Sequence, residues 1–477
     1  MHQPQLPHAP RLATAHAGHH HDIVIIGAGT GGLCLAHGLL RAGFDVAVYE
    51  RDRTRRDGLQ GYRVGISPDG SRALHACLAP QLYATFLATC ARPPTCLTFL
   101  DEQLRVLLSI SQADGLELGH DAVESEKSVS RMTLRQLLLT GLDDVVSFDR
   151  IFRRYEERDD GRVDVSFEDG SRVVANLLIG ADGTNSRVRR QLLPDAALTD
   201  TGIVAVAGKV PLDAEARSLL PDPLSSGVSL VFAPRGFGLV SHTMEFPWRA
   251  GGVVKDGIGR TEAELIQAWP GFLFDNTSDY FMWGFSAARK RLVFDPMQLK
   301  GADLVERVLT LTPEWHPTLR RLFELSDPSA TFPVAIRTSE PLQPWPTGPV
   351  TLLGDAAHTM TPGRGVGANT ALLDALLLCH QLTEARAGRL SRRQAVADYE
   401  AAMRRYGSEA VRESLKQMTA DQPLHDRRWG GLTLAAMRGT LRVVNAVGPL
   451  KQRMARNETR LRDRRRHPAL VAAGLAA

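Results

Sequence analysis

One stretch constrains this chain more than any other: Asp22 to Glu50, DIVIIGAGTGGLCLAHGLLRAGFDVAVYE. An apolar run, Ile23 to Ile26, leads into Gly27-Ala28-Gly29-Thr30-Gly31-Gly32, a helical pattern follows through Arg41, and a second short apolar run ends on Glu50. The spacing predicts strand, glycine turn, helix and strand. Gly27 permits the tight turn, Gly29 removes a Cβ that would block a pyrophosphate, and Gly32 lets the helix pack closely on the strand. The helix start then offers unpaired N–H groups and a positive dipole end to phosphate. Glu50 stands where an acid accepts both hydroxyls of an adenosine ribose and repels a 2′-phosphate, so the nucleotide expected is FAD or NAD rather than NADP.

The chain has 477 residues, enough for two or three domains with full cores. A net charge of +4 is small for that length and gives no reason to expect nucleic acid as a partner. Five cysteines, Cys34, Cys77, Cys90, Cys96 and Cys379, form no CxxC pair and no metal spacing, which points to free thiols in a reducing cytoplasm and to no metal site. No apolar run is long enough to span a membrane. Residues 1–21, rich in Pro, Ala and His and ending in His19-His20-His21, lack a signal-peptide core and read as a disordered tail.

Further along, two apolar runs within 95–110 form a hairpin candidate, and Gln112 to Lys127 reads as a surface loop. Ser130 to Leu142 carries Leu134, Leu137, Leu138 and Leu142 at helical spacing. Residues 150–180 alternate like strands, with turns at Asp159-Asp160-Gly161 and Glu168-Asp169-Gly170. The last of these strands runs into a second glycine signal, Gly180-Ala181-Asp182-Gly183-Thr184-Asn185-Ser186-Arg187-Val188-Arg189. Between about 200 and 340, strand-like runs such as Phe237 to Phe246 and Tyr280 to Ser286 alternate with helical segments, which suits an antiparallel sheet walling an apolar pocket. Its aromatics Phe232, Phe237, Trp248, Trp283 and Phe285 either line that pocket or fill the core behind it.

Pro349 to Leu353 is a buried strand that opens into Gly354-Asp355-Ala356-Ala357-His358 and then Pro362-Gly363-Arg364-Gly365-Val366-Gly367-Ala368-Asn369, ahead of an apolar helix. Beyond 391 the chain is helical and increasingly basic. There a stripe of Leu434, Met437, Leu441 and Val444, flanked by Arg438, Arg442, Lys451 and Arg453, either docks across two domains or lies on a membrane surface, and Arg460 to Arg466 reads as a solvated end.

These three ordered motifs together strongly resemble the single-component FAD-dependent aromatic monooxygenases, the p-hydroxybenzoate-hydroxylase-like group. The resemblance implies an α/β protein. Its Rossmann-like FAD-binding domain, of glutathione-reductase type, would be assembled from 22–75, 127–195 and 340–390. An α+β substrate domain would come from 76–126 and 196–339, with a helical region at 391–477. It also implies roles. Gly27, Gly29, Gly32 and Glu50 would hold the ADP half of FAD, Arg131 would reach its pyrophosphate, and Asp182 and Gly183 would serve FAD and the nicotinamide cofactor. Asp355 would bond the ribityl chain, Pro362 would stand beside the isoalloxazine, and the backbone of Gly363, Gly365, Gly367 and Asn369 would face the flavin edge that becomes negative on reduction. Arg51 and Arg63 are candidates for nicotinamide phosphates, or for plain surface charge.

In such enzymes NADPH or NADH is a transient reductant, and O2 adds to reduced flavin as a C4a-hydroperoxide that delivers one oxygen atom. The resemblance therefore implies hydroxylation of an aromatic or polycyclic small molecule, in secondary metabolism or catabolism; a cytoplasmic monomer or homodimer is expected. His242 and Tyr280 are the candidates for drawing off a substrate proton, with a core role as the alternative. Arg235 either binds an acidic substrate or faces solvent. Arg364 departs from the small residue that relatives often carry, and its role stays open. An isoprenoid epoxidase shares all three motifs. A flavin-dependent halogenase is disfavoured because no Trp-x-Trp-x-Ile-Pro stretch is present, and reductase chemistry on geranylgeranyl groups is weaker still. From outside enzymology, the Rab-GDP-dissociation-inhibitor proteins use a similar architecture as a flavin-free binding module.

Overall fold

The computed structural model describes residues 20–57, 62–114, 122–249, 251–462, 470–471 and 474–475. In chain order its strands are β1 (His20–Ile26), β2 (Val46–Tyr49), β3 (Arg63–Ile66), β4 (Cys96–Leu100), β5 (Val106–Ser111), β6 (Lys127–Ser130), β7 (Val146–Ser147), β8 (Phe152–Glu157), β9 (Val163–Phe167), β10 (Arg172–Gly180), β11 (Leu198–Pro211), β12 (Gly227–Phe232), β13 (Gly238–Met244), β14 (Tyr280–Ala288), β15 (Phe332–Ser339) and β16 (Val350–Leu352). The helices that matter for the site are α1 (Thr30–Arg41), α2 (Gly367–Arg386), α3 (Arg392–Gln417), α4 (Gly430–Ala446) and α5 (Gly448–Arg462).

The first sheet runs β7-β2-β1-β10-β9-β8, with β16 beside the end of β10. Strands β7, β2, β1, β10 and β16 are mutually parallel, and a parallel strand covered on both faces needs apolar residues at every position rather than at alternate ones. Ile23 to Ile26 and Leu177 to Ile179 meet that need and are buried. Helices α1 and α2 cover one face in close contact. A Cβ on Gly38 would come within 2.7 Å of Cys379 Sγ, so this crossing depends on glycine. The hairpins β8–β9–β10 turn at Gly161 and Gly170, both at positive φ.

The second sheet runs β15-β11-β14-β13-β12-β4-β5 and is antiparallel except between β12 and β4. Burial alternates along β11, β12 and β14. One face, with Phe281, Trp283 and Phe285, is sealed under the helices Gly301–Leu311 and Pro317–Glu324. The other face stays half-open. At the β4–β5 end that second face is covered by α4 and α5, whose Leu441, Val444 and Met454 meet Leu97, Phe99 and Ile110. The stripe singled out in the sequence is therefore a docking stripe.

Two sequence expectations change. Strand β1 starts at His20, so His20 and His21 belong to the sheet, where they meet Asn176 at 2.9 Å and Asp45 at 3.0 Å, and are not part of a tail. Residues 1–19 and the side chains of the Arg460 to Arg466 run lie outside the described residues. Lys127, placed in a loop from sequence, is buried at the start of β6. Among the described residues no helix is long and apolar enough to cross a membrane.

Candidate cofactor and substrate site

The parallel strands end together. Ile26 lies beside Tyr49 and Gly180, and Gly180 lies beside Leu352. All three glycine motifs therefore leave the sheet at one edge, the carboxyl edge, where open α/β sheets form their ligand crevice. Gly27 turns at φ +108° against the chain just after β10, and a Cβ there would stand 2.4 Å from the Ala181 carbonyl oxygen. Torsion and space both demand glycine. A Cβ on Gly32 would meet the Gly27 carbonyl at 2.5 Å, whereas Gly29 is exposed and has nothing within 4 Å. Gly29 is also the residue before α1, and no side chain caps that helix. Its first N–H groups thus have no capping side chain.

Glu50 is buried at the end of β2 and fastened to the turn, its Oε2 accepting from the Ala28 N–H at 2.6 Å and its Oε1 from the Asp52 N–H at 3.0 Å. Each oxygen keeps lone-pair capacity for a ligand hydroxyl. Arg51, next along, is exposed. In the second motif Asp182 accepts from the Arg187 and Val188 N–H groups through Oδ2, while its buried Oδ1 has no partner. Gly183 (φ +76°) has open space around it. Arg189, which sequence reading passed over, is buried and donates to the Thr184 carbonyl at 2.8 Å and the Ala356 carbonyl at 3.0 Å. It ties the second motif to the third.

That third motif rests on a buried network. Gly354 (φ +64°) turns β16 into the single helical turn Asp355–His358. Below it Asp374 of α2, fully buried, accepts through Oδ2 from the Gly354 N–H at 2.7 Å and meets His358 Nε2 at 2.7 Å, while the Tyr406 hydroxyl of α3 donates to Oδ1. Burial alone would lower the His358 imidazole, but the Asp374 carboxylate outweighs it and the net shift is upward. His358 is thus turned into the protein, away from the crevice.

Asp355 differs. Its side chain is exposed, yet it sits on a floor crowded by protein, and the desolvation pushes its carboxyl upward against the pull of His358 and Arg131. Pro362 and Gly363 are exposed beside it, Gly365 takes the left-handed conformation, and α2 begins at Gly367 without a capping side chain. The Asn369 side chain is engaged internally, accepting from the Ser67 N–H at 2.8 Å and donating to the Gly65 carbonyl at 2.9 Å, so only its backbone is free to face a ligand. Arg364 is half-buried, and its charge acts on Glu413 of α3.

Across the crevice stands the half-open face of the second sheet. Arg131 is exposed, lies over the Tyr62 ring at 5.5 Å and bears electrostatically on Asp355, and Tyr62 in turn lies 6.3 Å from Phe332 of β15. Half-exposed Ala205, Ala207, Met282, Gly284 and Val334 continue this wall, small and aliphatic rather than aromatic. Of the aromatics flagged in the sequence, Phe237, Trp248, Trp283 and Phe285 are core, and Phe232 stacks on Phe99 beneath the C-terminal helices.

His242 and Tyr280 lie inside the protein. Both are buried, His242 has no well-formed hydrogen bond at either ring nitrogen, and desolvation with nearby Arg63 pushes its imidazole down to about 3. Burial pushes the Tyr280 phenol well up. Their burial agrees with the core role that the sequence left as the alternative. Arg63 donates to Ser128 and pairs with Glu126 at 3.2 Å, and Arg235 donates to the Leu311 carbonyl. Among the described residues no group of His, Cys, Asp and Glu could hold a metal.

The residues at this edge match known protein families. Residues 25–64 match the NAD(P)-binding Rossmann-like domain, and residues 325–414 match the FAD binding domain. The chain is 32% identical over 381 residues to the dual O-methyltransferase/FAD-dependent monooxygenase elcB of Phaeosphaeria nodorum, covering 74% of this chain and 39% of that protein. It spans about two fifths of the length of such dual relatives. Its fold superimposes on a crystal structure from Photorhabdus luminescens subsp. laumondii TTO1, solved as a candidate FAD-containing monooxygenase, with a TM-score of 0.70, 31% identity and coverage of 83% of this chain and 97% of that one. Klebsiella pneumoniae HpxO, solved with FAD and uric acid, shares the fold at a TM-score of 0.69 and 24% identity, over 94% of this chain and 98% of that one. With its three motifs at one sheet edge and these likenesses, the chain belongs to the FAD-dependent monooxygenases.

Proposed function

We propose that the crevice holds FAD extended along the sheet edge, the ADP half on Gly27, Gly29, Gly32 and Glu50 and the flavin beside Pro362 to Gly367, and that the enzyme hydroxylates an aromatic or polycyclic molecule using O2 and NADPH or NADH. One observation carries this reading. Two helix starts without capping side chains, α1 and α2, open onto the same sheet edge as an exposed Asp355, opposite a half-open apolar wall. The unpartnered Asp182 Oδ1 and the open space at Gly29 fit a large polar ligand with many hydroxyls and phosphates.

Bound FAD supplies the electron transfer and the activation of O2. The chain's own groups do the rest. The N–H groups at the start of α2 favour negative charge at the ring edge, Asp355 accepts from hydroxyls, and Arg131 offsets nearby negative charge. The small residues of the opposite wall leave room for a flat substrate and exclude water around it. Arg51 is the more accessible candidate for a nicotinamide phosphate, since Arg63 is engaged with Glu126. A phenolic substrate is favoured by the O-methyltransferase named in the dual relative, because O-methylation requires a hydroxyl. The same reading carries a cytoplasmic location and a monomer or homodimer.

The test is turnover of FAD-loaded protein with NADPH or NADH and a panel of phenolic and polycyclic compounds under isotopically labelled O2. One labelled oxygen in the product is expected, as a ring hydroxyl. A labelled epoxide would move the enzyme to the epoxidases, and a product that requires halide would move it to the halogenases. Failure to take up flavin would leave a binding module.

A further inference from the structure

Helix α4 is apolar on two opposite faces. Leu441 and Val444 turn toward β4 and β5, where Arg438 also pairs with Glu102, and Leu434 is buried. On the other side, at helical spacing, stand Leu432, Ala436, Gly439, Val443 and Ala446. Leu432 is 65% exposed and Val443 56%, and Trp429 at one end and Leu450 at the other are 62% and 41% exposed. A surface helix ordinarily needs one apolar stripe and turns polar residues outward. This helix has a second stripe with nothing on it among the described residues, and a contiguous exposed patch of that kind marks an interaction surface.

Charge identifies the partner. From Arg427 to Asn457 the sequence holds seven cations and no Asp or Glu. Arg438, Arg442 and Lys451 face inward to Glu102, Asp101 and Asp114. Arg427, Arg428, Arg453 and Arg456 are exposed and make no ion pair among the described residues. A second copy docking by the same face would set these cations against one another. An anionic lipid surface would take the apolar stripe into its headgroup boundary and the arginines against its phosphates. Trp429 at the helix start suits that boundary. At 17 residues α4 is about 25 Å long and lies along the protein surface, so it would rest on a bilayer rather than cross it.

We propose that the outer face of α4, with the start of α5, is a peripheral docking surface for anionic membranes, independent of the cofactor crevice. The test is co-sedimentation of the full FAD-loaded chain with vesicles of phosphatidylcholine alone or mixed with phosphatidylserine. Binding to the phosphatidylserine vesicles is expected, weakened about tenfold or more on neutral vesicles and in high salt. Leu432→Glu/Val443→Glu should reduce it to the neutral level, and Arg453→Glu/Arg456→Glu should weaken it similarly, both with flavin absorbance and unfolding temperature unchanged. No binding to phosphatidylserine vesicles, or binding indifferent to Leu432→Glu/Val443→Glu, overturns the inference. So does a wild-type dimer that this double variant splits into monomers, which would assign the face to a second copy.

Discussion

The turns at Gly27–Gly32 and at Gly354–Gly367 both take a parallel strand into a helix at the same sheet edge, but they are held by different forces. The first is held chiefly by backbone packing, Gly27 against the Ala181 carbonyl and Gly32 against the Gly27 carbonyl, with one side chain, the Glu50 carboxylate, accepting main-chain N–H groups. The second is held from beneath by side chains, with Asp374 gripping the Gly354 N–H, His358 and Tyr406 in full burial. A turn set by steric contact is intolerant of a Cβ where backbone packs against it. A turn set by a buried ion pair tolerates more shape change but depends on protonation.

The largest expected effect lies in the first turn. Gly27→Val drives a Cβ into the backbone at a φ that branched residues avoid, and should cost at least about 3 kcal/mol and abolish flavin retention, read by denaturant unfolding and bound FAD. Gly29→Ala, facing open space, should leave the apo fold within about 1 kcal/mol while weakening FAD binding. Equal damage from both would break the distinction between a packed glycine and a cradle glycine.

In the second turn Asp374→Asn removes the partner of a buried His358, an effect of about 3 kcal/mol, and the double variant Asp374→Asn/His358→Gln should lose less than the two singles combined. Additive losses would mean that the pair does not act as a unit. The pH dependence follows from the upward shift of His358. A group raised in the folded state contributes stability that is complete below its unfolded value of 6.5 and is lost as pH rises through the folded value. Wild-type stability should therefore fall relative to His358→Gln on the alkaline side, and parallel curves would contradict the assignment.

The smallest stability effect is expected at Asp355. Its carboxyl is also raised, so the neutral form suits the fold and the ionised form opposes stability, eased by solvent in the crevice. Asp355→Asn should leave the unfolding temperature unchanged or slightly higher while lowering FAD affinity about tenfold. A destabilised protein with normal affinity would make Asp355 structural.

The first turn was legible in the sequence because steric necessity writes itself as glycine at fixed spacing. The second was legible only on its surface side. Gly354, Asp355 and Pro362 formed a recognisable motif, but Asp374 and Tyr406 are single polar residues on separate helices, and nothing local marks them as partners of His358. The substrate wall was not legible for another reason. Aromatic density left pocket and core as alternatives; Trp283 and Phe285 point to the sealed face of β14, and the half-open face carries Ala205, Ala207 and Gly284, residues without a compositional signal. His242 and Tyr280 are residue types that serve either proton transfer or a core, and composition could not show that both would be buried. On α4 the leucine-rich stripe drew attention to the docked side, while the outer stripe, diluted by alanine and glycine, passed as ordinary helix.

The most direct measurement is anaerobic mixing of the FAD-reconstituted chain with NADPH, and separately with NADH, in the presence and absence of phenolic substrates, following flavin absorbance. A crevice that holds FAD between the two turns predicts one bound flavin per chain whose colour bleaches with one of the two nucleotides, faster with a substrate that fits the wall. A chain that binds no flavin after reconstitution would contradict it.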